Sequence, residues 1–110
     1  MGIALFKERR FSSRRKLSGL LPGKLSISGQ KYPLKCRPTD VSAQGLGIVA
    51  NIEIPIGSMA TLETDSQSVL LEVIWVAPDF GKQDLFRYGL LSLNPDVSIE
   101  ELFVTYGCLK

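Results

Sequence analysis

The spacing of hydrophobic and polar positions changes character along the chain. From Lys24 to Gln30 it alternates, with Leu25 and Ile27 on one parity and Ser26 and Ser28 on the other. That is the period-two signature of a strand with one buried face. Gly29 supplies a turn into a second strand carrying Tyr32, Leu34 and Cys36. Pro38 demotes regular pairing beyond it, and Thr39-Asp40 reads as a strand end. Gly45 to Ala50 is a short apolar run. Residues Ser58–Asp65 and Ser68–Val76 are expected to form a hairpin around Ser66-Gln67. In its second arm Val69, Leu71, Val73 and Trp75 share one face, and Leu70, Ile74 and Val76 load the other, so both faces are expected to be covered. Leu85 to Leu93 closes the set, giving about six strands at the spacing of a sandwich or barrel.

The C-terminal segment switches to helical period. Ile99, Leu102, Phe103 and Tyr106 stand at i, i+3, i+4 and i+7, one stripe of a helix expected over residues 98–106. Ser98 and Glu101 match a capping box, Val97 and Leu102 stand where a hydrophobic staple forms, and Gly107 is a natural stop. A helix this short is expected to bury its stripe against the barrel. Residues 1–23 show no sustained period and read as an arm ending at the turn-prone Leu21-Pro22-Gly23. The expectation is one domain, a barrel over 24–110 with a C-terminal helix, preceded by the arm.

Composition sharpens this picture in one place. The chain has 110 residues, enough for a single core without disulfides or metal, and a net charge of +2. That small excess hides an asymmetry. Residues 1–16 hold Lys7, Arg9, Arg10, Arg14, Arg15 and Lys16 against Glu8 alone, whereas the rest of the chain is net acidic. A basic arm on an acidic body suits either an anionic partner or a solvated tail. Two cysteines, Cys36 and Cys108, stand far apart and histidine is absent, so zinc ligation is closed off and free thiols are the simpler expectation. The apolar run Ile3-Ala4-Leu5-Phe6 is too short for a signal-peptide core or a bilayer span. A cytoplasmic location without membrane insertion is the expectation.

Candidate chemistry is sparse. Without histidine, acid–base work would fall to carboxylates, Lys, Tyr or Cys, and the acids are scattered singly. No GxSxG or Walker-type loop is present, and Cys36 has no histidine to activate it, so an enzyme is not expected. Two segments stand out. Arg10 and Arg14 form an R-x-x-x-R pair. Their Cα atoms would be about 13 Å apart in an extended segment, and their Cβ atoms about 6 Å apart in a helical turn. Both guanidinium groups can face one ligand, bonding phosphate, pairing with guanine O6 and N7, or stacking on a base. The second segment is Asp40-Val41-Ser42-Ala43-Gln44-Gly45. Its aspartate can accept from the N1–H and N2–H of guanine, its serine adds a short hydroxyl, and its glycine permits close approach. The same residues are also standard for an ordinary turn between strands.

Together, Arg10-x-x-x-Arg14 followed by Asp40-x-Ser42-x-x-Gly45 resembles the PilZ family of cyclic di-GMP receptors. The lead-in Glu8-Arg9-Arg10, the strand ending Val73-Ile74-Trp75-Val76 and the later Tyr88-Gly89-Leu90 are similar to the family pattern, so the likeness runs from about Glu8 to Leu93. It implies a six-stranded antiparallel β-barrel with a mobile basic N-terminal arm and a C-terminal α-helix. It implies that Arg10 and Arg14 bind guanine and phosphate and stack on a purine, while Asp40, Ser42 and Gly45 meet a guanine edge. Arg9, by its place before the first motif arginine, implies an intercalated ligand dimer. Arg9 and Arg15 either touch ligand or merely raise local potential. No cofactor beyond the ligand is implied. A chain carrying no partner domain would act as an adaptor, its arm ordering on cyclic di-GMP and passing the signal to an effector protein. One alternative is a nucleotide-independent interaction module of the same fold. Another is a barrel that binds single-stranded nucleic acid, which the acidic body and the single aromatic in the basic cluster, Phe11, disfavour, so no DNA or RNA partner is expected.

Overall fold

The computed structural model describes residues 17–79 and 84–109. The sequence-predicted site residues Arg9, Arg10, Arg14 and Arg15 lie outside them. Six strands follow in order: β1 (Lys24–Ile27), β2 (Cys36–Val41), β3 (Gly45–Ala50), β4 (Met59–Glu63), β5 (Ser68–Pro78) and β6 (Phe86–Ser92). One short helix, α1 (Ile99–Thr105), ends the described chain. The strands form one antiparallel sheet in the order β1-β4-β5-β6-β3-β2, curled into a half-barrel. The fold is mostly β, as the strand patterns require.

Alternation explains which face is inside. Leu25, Ile27, Leu46, Ile48, Leu62, Val69, Leu71, Val73, Tyr88 and Leu90 all fall on the concave face and are buried. Ile99, Leu102 and Phe103 of α1 join the same cluster. The helix runs from the β2–β3 hairpin, where the Ile99 N–H donates to Ala43 O at 2.8 Å, toward the β4–β5 turn. There the Tyr106 and Ser66 hydroxyls lie 3.0 Å apart. It therefore covers one end of the half-barrel. Its start is set by Ser98, whose hydroxyl accepts from the Glu101 N–H at 3.2 Å. Its end is a Schellman turn: Gly107 at φ 76° bonds back to Val104 O, and the Cys108 N–H to Phe103 O. Leu17 bridges Leu109 beside this end.

Tyr88 ties the β3–β4 connection to the core. Its hydroxyl donates to Ile52 O at 2.6 Å and accepts from the Ile54 N–H at 2.9 Å. Among the described residues no buried side-chain polar atom lacks a partner.

Four expectations are corrected. The strand expected at Tyr32–Cys36 begins only at Cys36, and Tyr32 is exposed. Pro33 has no N–H to give a ladder, and regular bonding resumes with the Leu34 N–H donating to Leu25 O at 2.7 Å. Pro38 does not end its strand. It sits inside β2, opposite Ile48, because β2 lies at the sheet edge. The β4–β5 turn centres on Asp65-Ser66, one residue early, because the Thr64 hydroxyl accepts from both Ser66 and Gln67 N–H groups. Last, β5 is not covered on both faces. Leu70 and Ile74 are exposed, and Trp75 does not share the buried face of Val69, Leu71 and Val73. A bulge between Val73 and Trp75 shifts the parity by one and turns the indole outward.

Candidate functional site

The outer face of the sheet carries an unusual row. Asp40 of β2 pairs with Gly47 of β3, Gly47 pairs with Gly89 of β6, and Gly89 pairs with Trp75 of β5. At about 4.8 Å per strand the row spans roughly 14 Å between the outermost Cα atoms. Each end is made by an irregularity. On β2 the register shifts between Pro38 and Asp40, so Thr39 and Asp40 both reach the outer side while Pro38 stays buried. On β5 the bulge does the same for Ile74 and Trp75.

Both glycines are required by close approach. A Cβ on Gly47 would overlap the Asp40 carboxylate and come within 2.8 Å of Thr39 Oγ1. A Cβ on Gly89 would overlap the Trp75 indole, with Cδ1 at 2.7 Å. The carboxylate and the indole therefore lie close against the backbone of the paired glycines, one over each. The Thr39 hydroxyl donates to Asp40 Oδ1 at 2.9 Å, fixing the carboxylate on the platform and leaving acceptor sites on both oxygens. Trp75 keeps 44% of its surface exposed, and Asp40 is exposed. An aromatic plane beside a carboxylate can stack a flat base and accept from the donors on its edge.

Two residue pairs further along, the hairpin supplies a hydroxyl. The Ser42 N–H donates to Gly45 O at 3.0 Å, and Ser42 Oγ lies 3.1 Å from where a Gly45 Cβ would be. The turn is held from below. Gln44 O accepts from the Ser92 N–H at 2.8 Å, and Gln44 Nε2 donates to Val97 O at 3.5 Å. With the Ala43–Ile99 bond, this turn is tied to the start of α1.

Of the residues singled out from sequence, the structure thus brings Asp40, Ser42 and Gly45 together on one hairpin. Sequence reasoning missed Gly47, Gly89 and the outward Trp75. A signal for the glycines was present: Gly45-Leu46-Gly47 and Gly89 interrupt strand patterns, which marks close approach. Trp75 had no local signal, because its facing depends on the bulge.

Other chemistry is limited. No group of His, Cys, Asp or Glu among the described residues could hold a metal ion. Both cysteines are free, and burial pushes the Cys36 thiol up to about 11. An open cavity of about 420 Å³ lies at the far end of β2, lined in part by Lys31, Tyr32, Lys35 and Asn51. Its lining includes none of the row. No described helix is long and apolar enough to cross a membrane. The chain matches no protein-family model, no curated protein and no solved structure.

Proposed function

We propose that this chain is a cyclic di-GMP receptor of the PilZ kind, acting as an adaptor rather than an enzyme. The observation that carries the reading is the Asp40 carboxylate beside the exposed Trp75 indole on the Gly47–Gly89 pair. One guanine stacks on the indole while its N1–H and N2–H donate to Asp40, and the Ser42 hydroxyl meets the ligand at the hairpin. Arg10 and Arg14 engage phosphate and the free face of a base. Arg10 stands seven positions before Leu17, a reach of up to about 25 Å. The helix beside Leu17 covers about 10 Å at 1.5 Å per residue, so an arm running along it can carry Arg10 past the helix toward the Asp40–Gly45 hairpin.

Binding then acts through two connections. The arm is drawn onto the outer face, an order–disorder switch. The Asp40–Gly45 hairpin bears on α1 through Ala43 and Gln44. Either changes the surface offered to an effector protein. Because the chain has a single tryptophan, Trp75, its fluorescence reports directly on the platform. Titration of the full chain with cyclic di-GMP, read by calorimetry and by Trp75 emission, is expected to give saturable heat and a matching emission change. Folded protein showing neither at tens of micromolar ligand would refute the reading.

The alternative, a nucleotide-independent interaction module, draws support from the exposed Leu70, Leu91 and Leu93 beside the same face. It predicts that Arg10→Ala and Asp40→Ala leave partner capture unchanged.

A further inference from the structure

Beyond residue 16 the chain contains only two arginines, Arg37 and Arg87; its other basic residues there are lysines. Strand pairing puts both on one row of the outer face. Arg37 of β2 pairs with Val49 of β3, Val49 pairs with Arg87 of β6, and Arg87 pairs with Ala77 of β5. Their neighbours fix the direction. Pro38, Ile48 and Tyr88 are buried inward, so Arg37, Val49 and Arg87 face out, and both arginines are exposed.

Two strand spacings put the two Cα atoms about 10 Å apart, and two residues along β3 put this row about 7 Å from the Asp40–Trp75 row. Val49 and Ala77, the other members of the row, are small and apolar, so the two guanidinium groups can converge above Val49 without a competing acid in the row. A planar fork that bonds two oxygens at once suits a phosphodiester better than an ammonium would. The separation between the rows matches the scale of a nucleotide whose base lies on one row and whose phosphate lies on the other.

We infer that Arg37 and Arg87 form a phosphate-binding pair on the barrel itself, independent of the arm, holding a phosphodiester of the ligand whose guanine lies on the Asp40–Trp75 row. This rests on the receptor reading. It divides the ligand's anchoring between a pair carried on rigid strands and a pair, Arg10 and Arg14, carried on the arm. The barrel pair sets the position of the first phosphate before the arm engages.

Calorimetry with cyclic di-GMP on the full chain tests this, using Arg37→Gln, Arg87→Gln, the double Gln variant and the double Lys variant. Each single Gln change is expected to weaken Kd on the order of tenfold, since a charged hydrogen-bonding group is lost, and the double change to weaken it further. The double Lys variant should recover part of the loss because charge is kept. Saturating ligand should still give the full Trp75 emission change in the Gln variants, because the base site is intact. Melting profiles should stay unchanged, since both side chains are exposed. A double Gln variant with wild-type Kd would overturn the pair while leaving the receptor reading standing. A wild-type chain that gives neither heat nor emission change would overturn the receptor reading, and the pair with it.

Discussion

The Trp75 indole lies against the backbone of Gly89, its cross-strand partner, so closely that no other residue at position 89 could leave it there. Two strands meet at that point with a ring in place of a side-chain pair. The first prediction follows directly. Gly89→Ala is expected to push the indole off the sheet, at a cost of about 1–3 kcal/mol in stability, typical of overpacking. Denaturant unfolding gives the stability, and Trp75 emission gives the displacement. Cyclic di-GMP affinity should fall with it, and unshifted emission would show that the ring does not depend on this glycine.

At the other end of the row, the Asp40 side chain fills no part of the core. It is exposed, and the only hydrogen bond to its carboxylate among the described residues comes from Thr39. Asp40→Ala should therefore leave the melting temperature nearly unchanged while lowering affinity for cyclic di-GMP at least tenfold, since a charged acceptor for two guanine donors is lost. Asp40→Asn, which keeps shape but replaces one acceptor with a donor, should fall nearly as far. Competition with cyclic di-AMP should become more effective in both variants.

Tyr88 is expected to behave in the opposite way. Its buried hydroxyl serves Ile52 O and the Ile54 N–H at once. Tyr88→Phe leaves both groups without that partner, which should cost about 1–3 kcal/mol. Equilibrium unfolding should show a lower midpoint with an unchanged slope. Ligand affinity measured well below the transition should be retained, because Tyr88 faces the core and not the outer row.

Alkaline pH should weaken the fold. Burial raises the Cys36 thiol from 9.0 to about 11, and burial also raises Cys108 and Tyr88. The unfolded chain loses these protons at lower pH than the folded chain does. Above pH 9 these three groups hold their protons longer in the folded state, so their contribution to stability falls as pH rises, for Cys36 until about 11, while Tyr106, lowered by its bond with Ser66, acts in the opposite direction. Thermal melts across this window should show a declining midpoint, with a shallower decline in Cys36→Ala. At neutral pH the same thiol should react slowly with alkylating reagents until the protein unfolds.

Much of this architecture is written in local pattern. The α1 stripe, its Ser98 cap and its Gly107 stop depend on residues within a few positions of one another, so a sequence window contains all of the determining contacts. The hairpin of β4 and β5 is local in the same sense, and the period-two alternation of β1 already separates its buried Leu25 and Ile27 from its outward serine. That Asp40, Ser42 and Gly45 share one hairpin is local in the same way, since they lie within six positions of one another.

Only the tertiary structure decided the rest. That β1 joins β4 and not β2, and that β6 lies between β5 and β3, are pairings between segments distant in sequence, set by how the concave face closes over one core. The facing of Trp75 turned on a single extra residue in β5. Strand side chains repeat every two positions, so one inserted residue reverses everything after it, and no pattern in the strand announces the insertion. The row from Asp40 to Trp75 exists because four residues from four strands come into register. Sequence supplied the carboxylate, the two glycines and the ring, and strand pairing placed the carboxylate beside the ring.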